Sequence, residues 1–453
     1  MGSASEGISV MVIGAGAGRS GGRLIAQGLR KTGIACTVFE QDASLDARSR
    51  DWDFGIYWAQ TPLEACLPQD VRDRIATAQV DNVAPAPDAF FPVFNGATGE
   101  VIKRVPTPYY LRLRRREFSR VMGSGIDIRG WGKKYNKRLT SVDATSGPGV
   151  TATFADGTRH TASLLVGAEG AHSLVREHLL GPEKGRVLHS PFVLSMVLTK
   201  LPAEQALAYR EKHHRICATF HPNGTFLWIG GRTPLSSFLF PPLRVPNGLT
   251  DADAPAVHDA YDKPDPADAE FVIMCSWKHS GALPIDKDSP RAIIRDMKRR
   301  GEAWAEPFRG IIQAIDEDRK AWTGYLPYWP TRGWEGHEAR GRVTLAGDAA
   351  HPMTPHRGQG LNNAILDCDQ LVKQIDAMPE RSPEALARAV ERYEEEMWKR
   401  GHEAVMSSLE NSMAVHDWEM LTQSPLFKAG VQKEVEEEEG KKRPEARQEE
   451  VRT

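Results

Sequence analysis

GDAAHPMTPHRGQGLNNAILDCDQL, Gly347 to Leu371, is arranged to lay backbone amides and one carboxylate along a large ligand. RVTL before it, Arg342 to Leu345, predicts a short apolar strand. Gly347 and Asp348 then turn the chain, and Leu361, Ile365 and Leu371 give the segment from Gly360 the apolar face of a helix. A helix N-terminus reached through small residues presents N–H groups to an anion, while Asp348 is placed to accept from a hydroxyl rather than to meet phosphate. A ribityl-diphosphate ligand has both features.

The amino terminus carries a second unit of this kind. ISVMVI (Ile8–Ile13) predicts a strand, GAGAGRSGG (Gly14–Gly22) a glycine loop, the following residues an amphipathic helix ending near Gly33, and CTVFEQD a second strand with Glu40 at its carboxyl end. That order is a dinucleotide-binding unit, in which glycines let the backbone approach a pyrophosphate and the acid accepts from a ribose hydroxyl. Two glycine registers are open. Gly14 and Gly16 follow the strand directly but meet Arg19 where the third glycine belongs, whereas Gly16, Gly18 and Gly21 complete G-x-G-x-x-G and are the favoured set.

Composition admits an enzyme and argues against several other classes. A chain of 453 residues can bury a large core divided into two or three domains. Its 58 basic and 60 acidic side chains leave a formal charge of -2, which offers no footprint for nucleic acid. The cluster Arg112, Arg114, Arg115 and Arg116 is too short for such a role, and one of its arginines is a candidate for the cofactor phosphates. Cys36, Cys66, Cys217, Cys275 and Cys368 contain no C-x-x-C pair and read as thiols of a reducing compartment. No segment reads as a signal peptide or as an apolar span of membrane length, so a cytoplasmic protein without stable membrane insertion is expected.

Between these units the texture changes. Trp52–Pro68 mixes aromatic and apolar residues, Asp70–Ala78 predicts a short helix, and Asn82–Pro108, with FFPVFN and EVIKRV, predicts a hairpin. Residues 110–122 predict a helix, Leu139–Asp143 and Gly149–Ala155 a strand pair, and Leu164–Val166 a strand leading through Gly167–Gly170 into a helix from Ser173. Val193–Leu198, Arg215–Phe220, Thr225–Gly230 and Phe271–Trp277 predict a mostly antiparallel sheet; Pro241–Asp268 reads as a long loop, and Ser289–Arg300 and Pro307–Ile315 as helices. A long charged helix is expected over 383–411, a shorter one over 413–427, and the tail from Val435 lacks apolar area to bury. The fold class is therefore α/β: a Rossmann-like domain from discontinuous segments (1–75, 109–185 and 331–380), a second α+β domain (76–108 and 186–330), C-terminal helices (381–430) and a charged tail (431–453).

Taken together, GAGRSG at 16–21, VGAEGAHSLVR at 166–176 and GDAAHPMTPHRGQGLNNA at 347–364 resemble, in order and spacing, the three motifs of the class A single-component flavoprotein monooxygenases related to para-hydroxybenzoate hydroxylase, above all fungal members of secondary metabolism. The resemblance implies FAD as cofactor and NADPH or NADH as transient reductant. Glu40 would bind the adenosine ribose; Gly14, Gly16, Gly18 and Gly21 would face the diphosphate; and Arg115, in RREF, would reach the cofactor from the start of a helix. Asp348 would hold the ribityl region. Pro355, Gly358 and Gly360 would border the flavin ring, with Leu361 and Asn362 near its pyrimidine side. The central motif, with Glu169 and Arg176, would serve FAD and the nicotinamide nucleotide. It departs from the family's G-A-D-G at Glu169, one methylene longer, which predicts a weaker grip on the nucleotide. The first motif also holds extra glycine around Arg19, a candidate partner of the diphosphate.

The implied reaction is hydroxylation of a phenolic or polyketide-derived aromatic by O2 through a flavin C4a-hydroperoxide, with decarboxylation possible when attack is ipso to a carboxylate. Epoxidation of an indole or alkene, Baeyer-Villiger insertion beside a ketone, an FAD oxidase or dehydrogenase, and a non-enzymatic flavin-binding interaction protein remain as alternatives. The catalytic set is Pro355, Tyr57 and Arg232, with Tyr57 offering a hydroxyl to a phenolate. Trp58, Phe220 and Trp228 are the substrate candidates. His351 and His356 are candidate bases, although their loop reads mainly as flavin contact. No metal is expected, because His213, His214 and His221 lack Cys or carboxylate partners at ligand spacing. A monomer or homodimer fits the charged C-terminal helices.

Overall fold

The computed structural model describes residues 7–15, 20–45, 47, 51–81, 83–129, 137–212, 215–233 and 269–433. β1 (Ser9–Ile13) runs into α1 (Ser20–Lys31), which returns the chain to β2 (Ala35–Phe39), parallel to β1 with Val12 opposite Val38. After β3 (Asp53–Ile56), α2 (Gln60–Cys66) and α3 (Gln69–Arg72), the hairpin β4 (Phe90–Asn95) and β5 (Val101–Pro106) forms where the alternation predicted it. The helix expected over Asp70–Ala78 is shorter: α3 is followed by a 3-10 turn at Ile75–Ala78.

Residues 110–122 are not one helix. Leu111–Arg114 is strand β6, antiparallel to β3, and α4 (Arg115–Met122) begins only after it. All four residues of β6 are buried. Arg112 pairs with Asp53, and Arg114 donates to the carbonyls of Gln79 and Val80. Buried arginines conceal the period-2 pattern of LRLR, because their partners are distant in sequence.

β7 (Asp127–Arg129) joins the edge beside β2, and β8 (Leu139–Asp143), β9 (Val150–Phe154) and β10 (Arg159–Ala162) make a small antiparallel sheet. β11 (Leu164–Gly167) then enters the parallel sheet on the other side of β1, followed by α5 (Leu174–Gly185), which kinks at Gly181 before Pro182. The second sheet takes β12 (Leu188–Lys200), β13 (Ile216–Phe220), β14 (Thr225–Arg232), β15 (Glu270–Lys278) and β16 (Ala321–Tyr328), with α6 (Ala203–Lys212), α7 (Pro290–Gly301) and α8 (Phe308–Gln313) between them. The sequence reading missed α6 and β16. The chain returns with β17 (Val343–Leu345), α9 (Gly360–Asp376), α10 (Pro383–Val415) and α11 (Pro425–Ala429). α10 runs unbroken through Gly401 and takes up Met413–Val415, which were expected in a separate helix. The expected loop 241–268, His213, His214 and the tail from Val435 lie outside the described residues.

Five parallel strands in the order β17-β11-β1-β2-β7 form the first sheet. β2 and β11 flank β1 on opposite sides, so the carboxyl ends of β1 and β11 lie side by side. The second sheet has seven strands, β16-β12-β15-β14-β13-β4-β5, antiparallel except where β4 meets β13. Period-2 alternation gives it two faces. Val193, Val197, Leu227, Ile229 and Ile273 pack with Ile293, Met297 and Phe308 of the helices. Leu194, Met196, Phe226, Trp228 and Met274 face a cavity between this sheet and the ends of the parallel strands. Among the described residues no helix is long and apolar enough to cross a membrane.

Candidate active site

The cavity has a volume of about 380 Å³ and two unlike ends. Gly21, Ala168, Gly170, Gly347, Asp348 and Gly360 line one end, and the apolar face of the seven-stranded sheet lines the other. The small-residue end is built for close backbone approach. Gly14 has φ 105°, and a Cβ there would lie 2.6 Å from Ala168 O; a Cβ on Gly22 would lie 2.0 Å from Gly14 O. The loop after β1 is thereby pressed onto the loop after β11 and onto α1. Gly16 and Gly18 lie outside the described residues. Glu40 is buried at the end of β2, its Oε2 accepting from Ala15 N–H at 2.6 Å and its Oε1 from Asp42 N–H at 2.8 Å.

α9 starts at Gly360 without a side-chain cap, so its first N–H groups are available at the cavity wall. Asp348 is exposed at that wall. Pro355 begins a 3-10 turn ending at Gly358, whose left-handed φ of 70° seats it against the Tyr57 ring. Leu361 lines the cavity. Asn362 does not: it is fully buried, its Oδ1 accepting from Tyr57 N–H at 2.9 Å and its Nδ2 donating to Gly55 O at 3.0 Å, which pins β3 to α9. Asp367, one turn and a half further along α9, anchors the start of the loop. Its Oδ2 accepts from Gly347 N–H at 2.6 Å and contacts His351 Nε2 at 2.7 Å, while Oδ1 pairs with Arg400 at 2.7 Å. Burial opposes its charge, but His351 and Arg400 hold this carboxyl well below the usual carboxylate range.

Arg115 is buried at the cavity wall, its guanidinium 3.8 Å from the centre of the Trp52 ring. Glu169 and Arg176 have turned inward. Glu169 Oε1 accepts from Ser173 Oγ at 2.8 Å and Val175 N–H at 2.9 Å, capping α5. Arg176 donates to the carbonyls of Gly185, Ala349 and Ala171 and lies 4.9 Å from the Trp329 ring; burial lowers its pKa to about 10. Neither side chain lines the cavity. The extra methylene at 169 thus serves the reach from loop to helix.

The remaining predictions separate. Tyr57 and Trp228 line the cavity. Burial pushes the Tyr57 phenol up to about 12. Phe220 packs into the core against Phe226 and Phe427, and Trp58 turns its indole N–H to Gln359 at 2.8 Å. Arg232 is held by Asp51 at 3.0 Å and Glu270 at 3.1 Å and does not reach the cavity. Phe220 and Arg232 share a strand face with the cavity-lining Ala218 and Trp228 but lie further along their strands, and none of the three lines the cavity. Asp53, Arg112 and Trp52, absent from the sequence-based set, take their place at the wall. The signal for them was weak: a carboxylate inside the apolar WDFGIYW and an arginine alternating with leucines.

The two candidate bases are both engaged within the protein. His351 faces Asp367, away from the cavity. His356 lines the cavity, but its Nε2 lies 2.8 Å from Ser276 Oγ and its Nδ1 2.7 Å from Ser412 Oγ. His416 follows, with Nε2 at Ser276 Oγ and Nδ1 2.7 Å from Ser412 O. A carbonyl only accepts, so His416 carries its proton on Nδ1. Ser276 Oγ stands between Nε2 of the two rings, and neither ring has a carboxylate among these partners to stabilise a second proton. Burial agrees, pushing His356 well below its ordinary value and His416 down to about 4.

Residues 337–408 match the family model described as FAD binding domain. The chain is 44% identical over 422 residues to the FAD-dependent monooxygenase cctM of Talaromyces islandicus, covering 93% of this chain and 96% of that protein. It is 33% identical to the FAD-dependent monooxygenase phnB of Penicillium herquei, covering 93% and 94%. Among solved structures, HpxO of Klebsiella pneumoniae, complexed with FAD and uric acid, shares the fold with a TM-score of 0.66 at 20% identity, covering 93% of this chain and 92% of that one.

Proposed function

The chain belongs to the class A single-component FAD-dependent monooxygenases, and from that premise we propose that it hydroxylates a phenolic or polyketide-derived aromatic, drawing electrons from NADPH or NADH and one oxygen atom from O2. The observation that carries the reading is the single cavity joining a glycine-lined cleft at the parallel-strand ends to an apolar, aromatic wall on the seven-stranded sheet. The cleft suits FAD. Gly14 leaves no room for a side chain beside Ala168, the α9 N-terminus has no side-chain cap, and Glu40 at the end of β2 and Asp348 at the cavity wall are the acids that would accept from ribose and ribityl hydroxyls. Arg115, stacked on Trp52, supplies the positive charge that a diphosphate requires.

Bound there, FAD supplies the exchange of electrons with the nicotinamide nucleotide and the activation of oxygen. The polypeptide orients the substrate and excludes water. Leu194, Met196, Met274 and Trp322 present a dry, flat surface to an aromatic ring. Burial pushes the Tyr57 phenol up to about 12, so it keeps its proton across the physiological range and its Oη would donate to a substrate oxygen near Gly358. Pro355 and Gly358 hold the loop that separates the two ends.

The test is NADPH oxidation by FAD-loaded protein in air, across phenols, aromatic carboxylates and indoles, with oxygen uptake and product mass recorded together. Stimulated oxidation with a product heavier by one oxygen atom supports the reading. Turnover without oxygen insertion, or with insertion only into ketones or alkenes, replaces it with another of the family's reactions.

A further inference from the structure

The apolar wall of the cavity crosses the seven-stranded sheet from Trp322 on β16 through Leu194, Met274, Trp228 and Ala218 to Phe91 on β4. It stops one strand short of the edge. β5, the last strand, contributes nothing to the lining, because the chain after α10 lies against it. Lys103 of β5 donates to the Phe427 carbonyl, and a Cβ on Gly430 would lie 3.3 Å from Val105 Cγ1. From that segment Leu426 and Val431, 1% and 2% exposed, line the cavity and belong to one apolar cluster with Phe91 and Phe226. They end the slot on the β5 side.

Past α11 the segment has no regular structure of its own to hold it there. Gly430 turns the chain with φ 65°, a conformation that strains any other residue, and residues 430–433 are neither helix nor strand. Gly430 and Val431 are buried, so their carbonyls need donors from elsewhere. The loop before α9 supplies them. Arg357 donates from Nε to Gly430 O at 2.8 Å and from Nη2 to Gln432 O at 3.2 Å, and Gln359 Nε2 donates to Val431 O at 3.1 Å. Three consecutive carbonyls are thus taken by two side chains. Both side chains are themselves fixed: Arg357 Nη1 donates to Ser407 Oγ of α10 at 3.2 Å, and Gln359 Oε1 accepts from Trp58 Nε1 at 2.8 Å. Asn411 of α10 holds the other end of the segment, accepting from Leu426 N–H at 2.9 Å.

Resting on the reading that an aromatic substrate lies on the apolar wall, we propose that Leu426 and Val431 are specificity-determining residues: they set how far toward β5 the substrate extends, and thereby the longest molecule that the enzyme accepts. Arg357 and Gln359 are positioning residues that act through them. The side chains at this end, Leu426, Val431, Phe91 and Phe226, offer only hydrocarbon. The part of the substrate that reaches them is therefore apolar, without a charge or a hydrogen-bonding group.

The test uses 2-naphthol and its linear 6-alkyl derivatives from methyl to hexyl, titrated against the FAD-loaded protein and read by quenching of naphthol fluorescence. Affinity should rise about fourfold with each methylene until the slot is full, and then level off or fall. Val431→Ala and Leu426→Ala should each move that break to a longer chain, by one methylene or more, and Val431→Phe should move it to a shorter one. Val431→Phe leaves no hole and so carries the test if an Ala variant does not fold. Arg357→Gln unseats the segment without touching its apolar side chains and should also lengthen the break, whereas a loss of stability alone lowers the affinity for every member alike. A break at the same chain length in wild type, Val431→Ala and Val431→Phe, no break at all, or no binding of any member overturns the proposal, and an unchanged break in Arg357→Gln overturns the positioning role. Failure of the function itself appears elsewhere, as absence of oxygen insertion in the turnover assay, and leaves the chain-length profile to decide on Leu426 and Val431.

Discussion

Tyr57, Glu169 and Asn362 show how far a residue's role departs from its motif. Tyr57 is expected to act through one O–H: Tyr57→Phe should lower kcat about tenfold, consistent with the worth of a hydrogen bond to a charged partner, while FAD remains bound and the visible spectrum is unchanged. Glu169 caps α5 through Ser173 and Val175, so Glu169→Gln should cost on the order of 1 kcal/mol of stability by denaturant titration. The KM for NADPH should change little, and a large rise in that KM with unaltered stability would return the residue to nucleotide binding. Asn362 satisfies backbone groups on both β3 and the loop before α9. Its replacement by Ala strands those groups in a dry site.

At the scale of elements, the loop from Gly347 to Gly358 is fixed from two sides. Asp367 of α9 holds its start, and the chain His356, Ser276, His416 ties its end to β15 and α10. The second tie has a pH consequence. Both imidazoles are buried and neutral, with folded pKa values below those of the unfolded chain, so the unfolded state takes up protons first as pH falls. Their contribution is complete above about pH 6.5 and is lost as pH falls toward 4. For His416 alone the loss is about 3 kcal/mol, measurable as the pH slope of the unfolding free energy. Lys278 on β15 disfavours the charged form further, and His416→Asn should flatten the slope. Asp367→Asn should cost about 1–3 kcal/mol of unfolding free energy, because it removes the buried charge set between His351 and Arg400, which keeps only Glu396, and weakens the bond that Gly347 N–H donates.

Across the whole molecule, the cavity exists only where two sheets and the C-terminal segment meet: Leu426 and Val431 close it beside residues of both sheets. FAD binding should then stabilise the chain as a unit. At a hundred times its Kd the cofactor adds about 2.7 kcal/mol, so deflavination should lower Tm in one transition, restored by added FAD. Two separated transitions on deflavination would show that the sheets unfold independently.

What the sequence determined is what short range can encode. Glycine loops, apolar strands, the α9 face and the acid after β2 each rest on a few neighbouring residues, and the order of the three motifs was enough for the parallel sheet and its cofactor. The alternation of β12 to β15 likewise marked the second sheet. Which side chains line the cavity was decided by tertiary structure alone. Asp53 and Arg112 are 59 positions apart and meet through the pairing of β3 with β6, while Arg232 is drawn off by Asp51, 181 positions away. Burial made the difference: a charged side chain inside the protein goes where a partner neutralises it, and the partner's position is a property of the packed sheets rather than of any local run of residues.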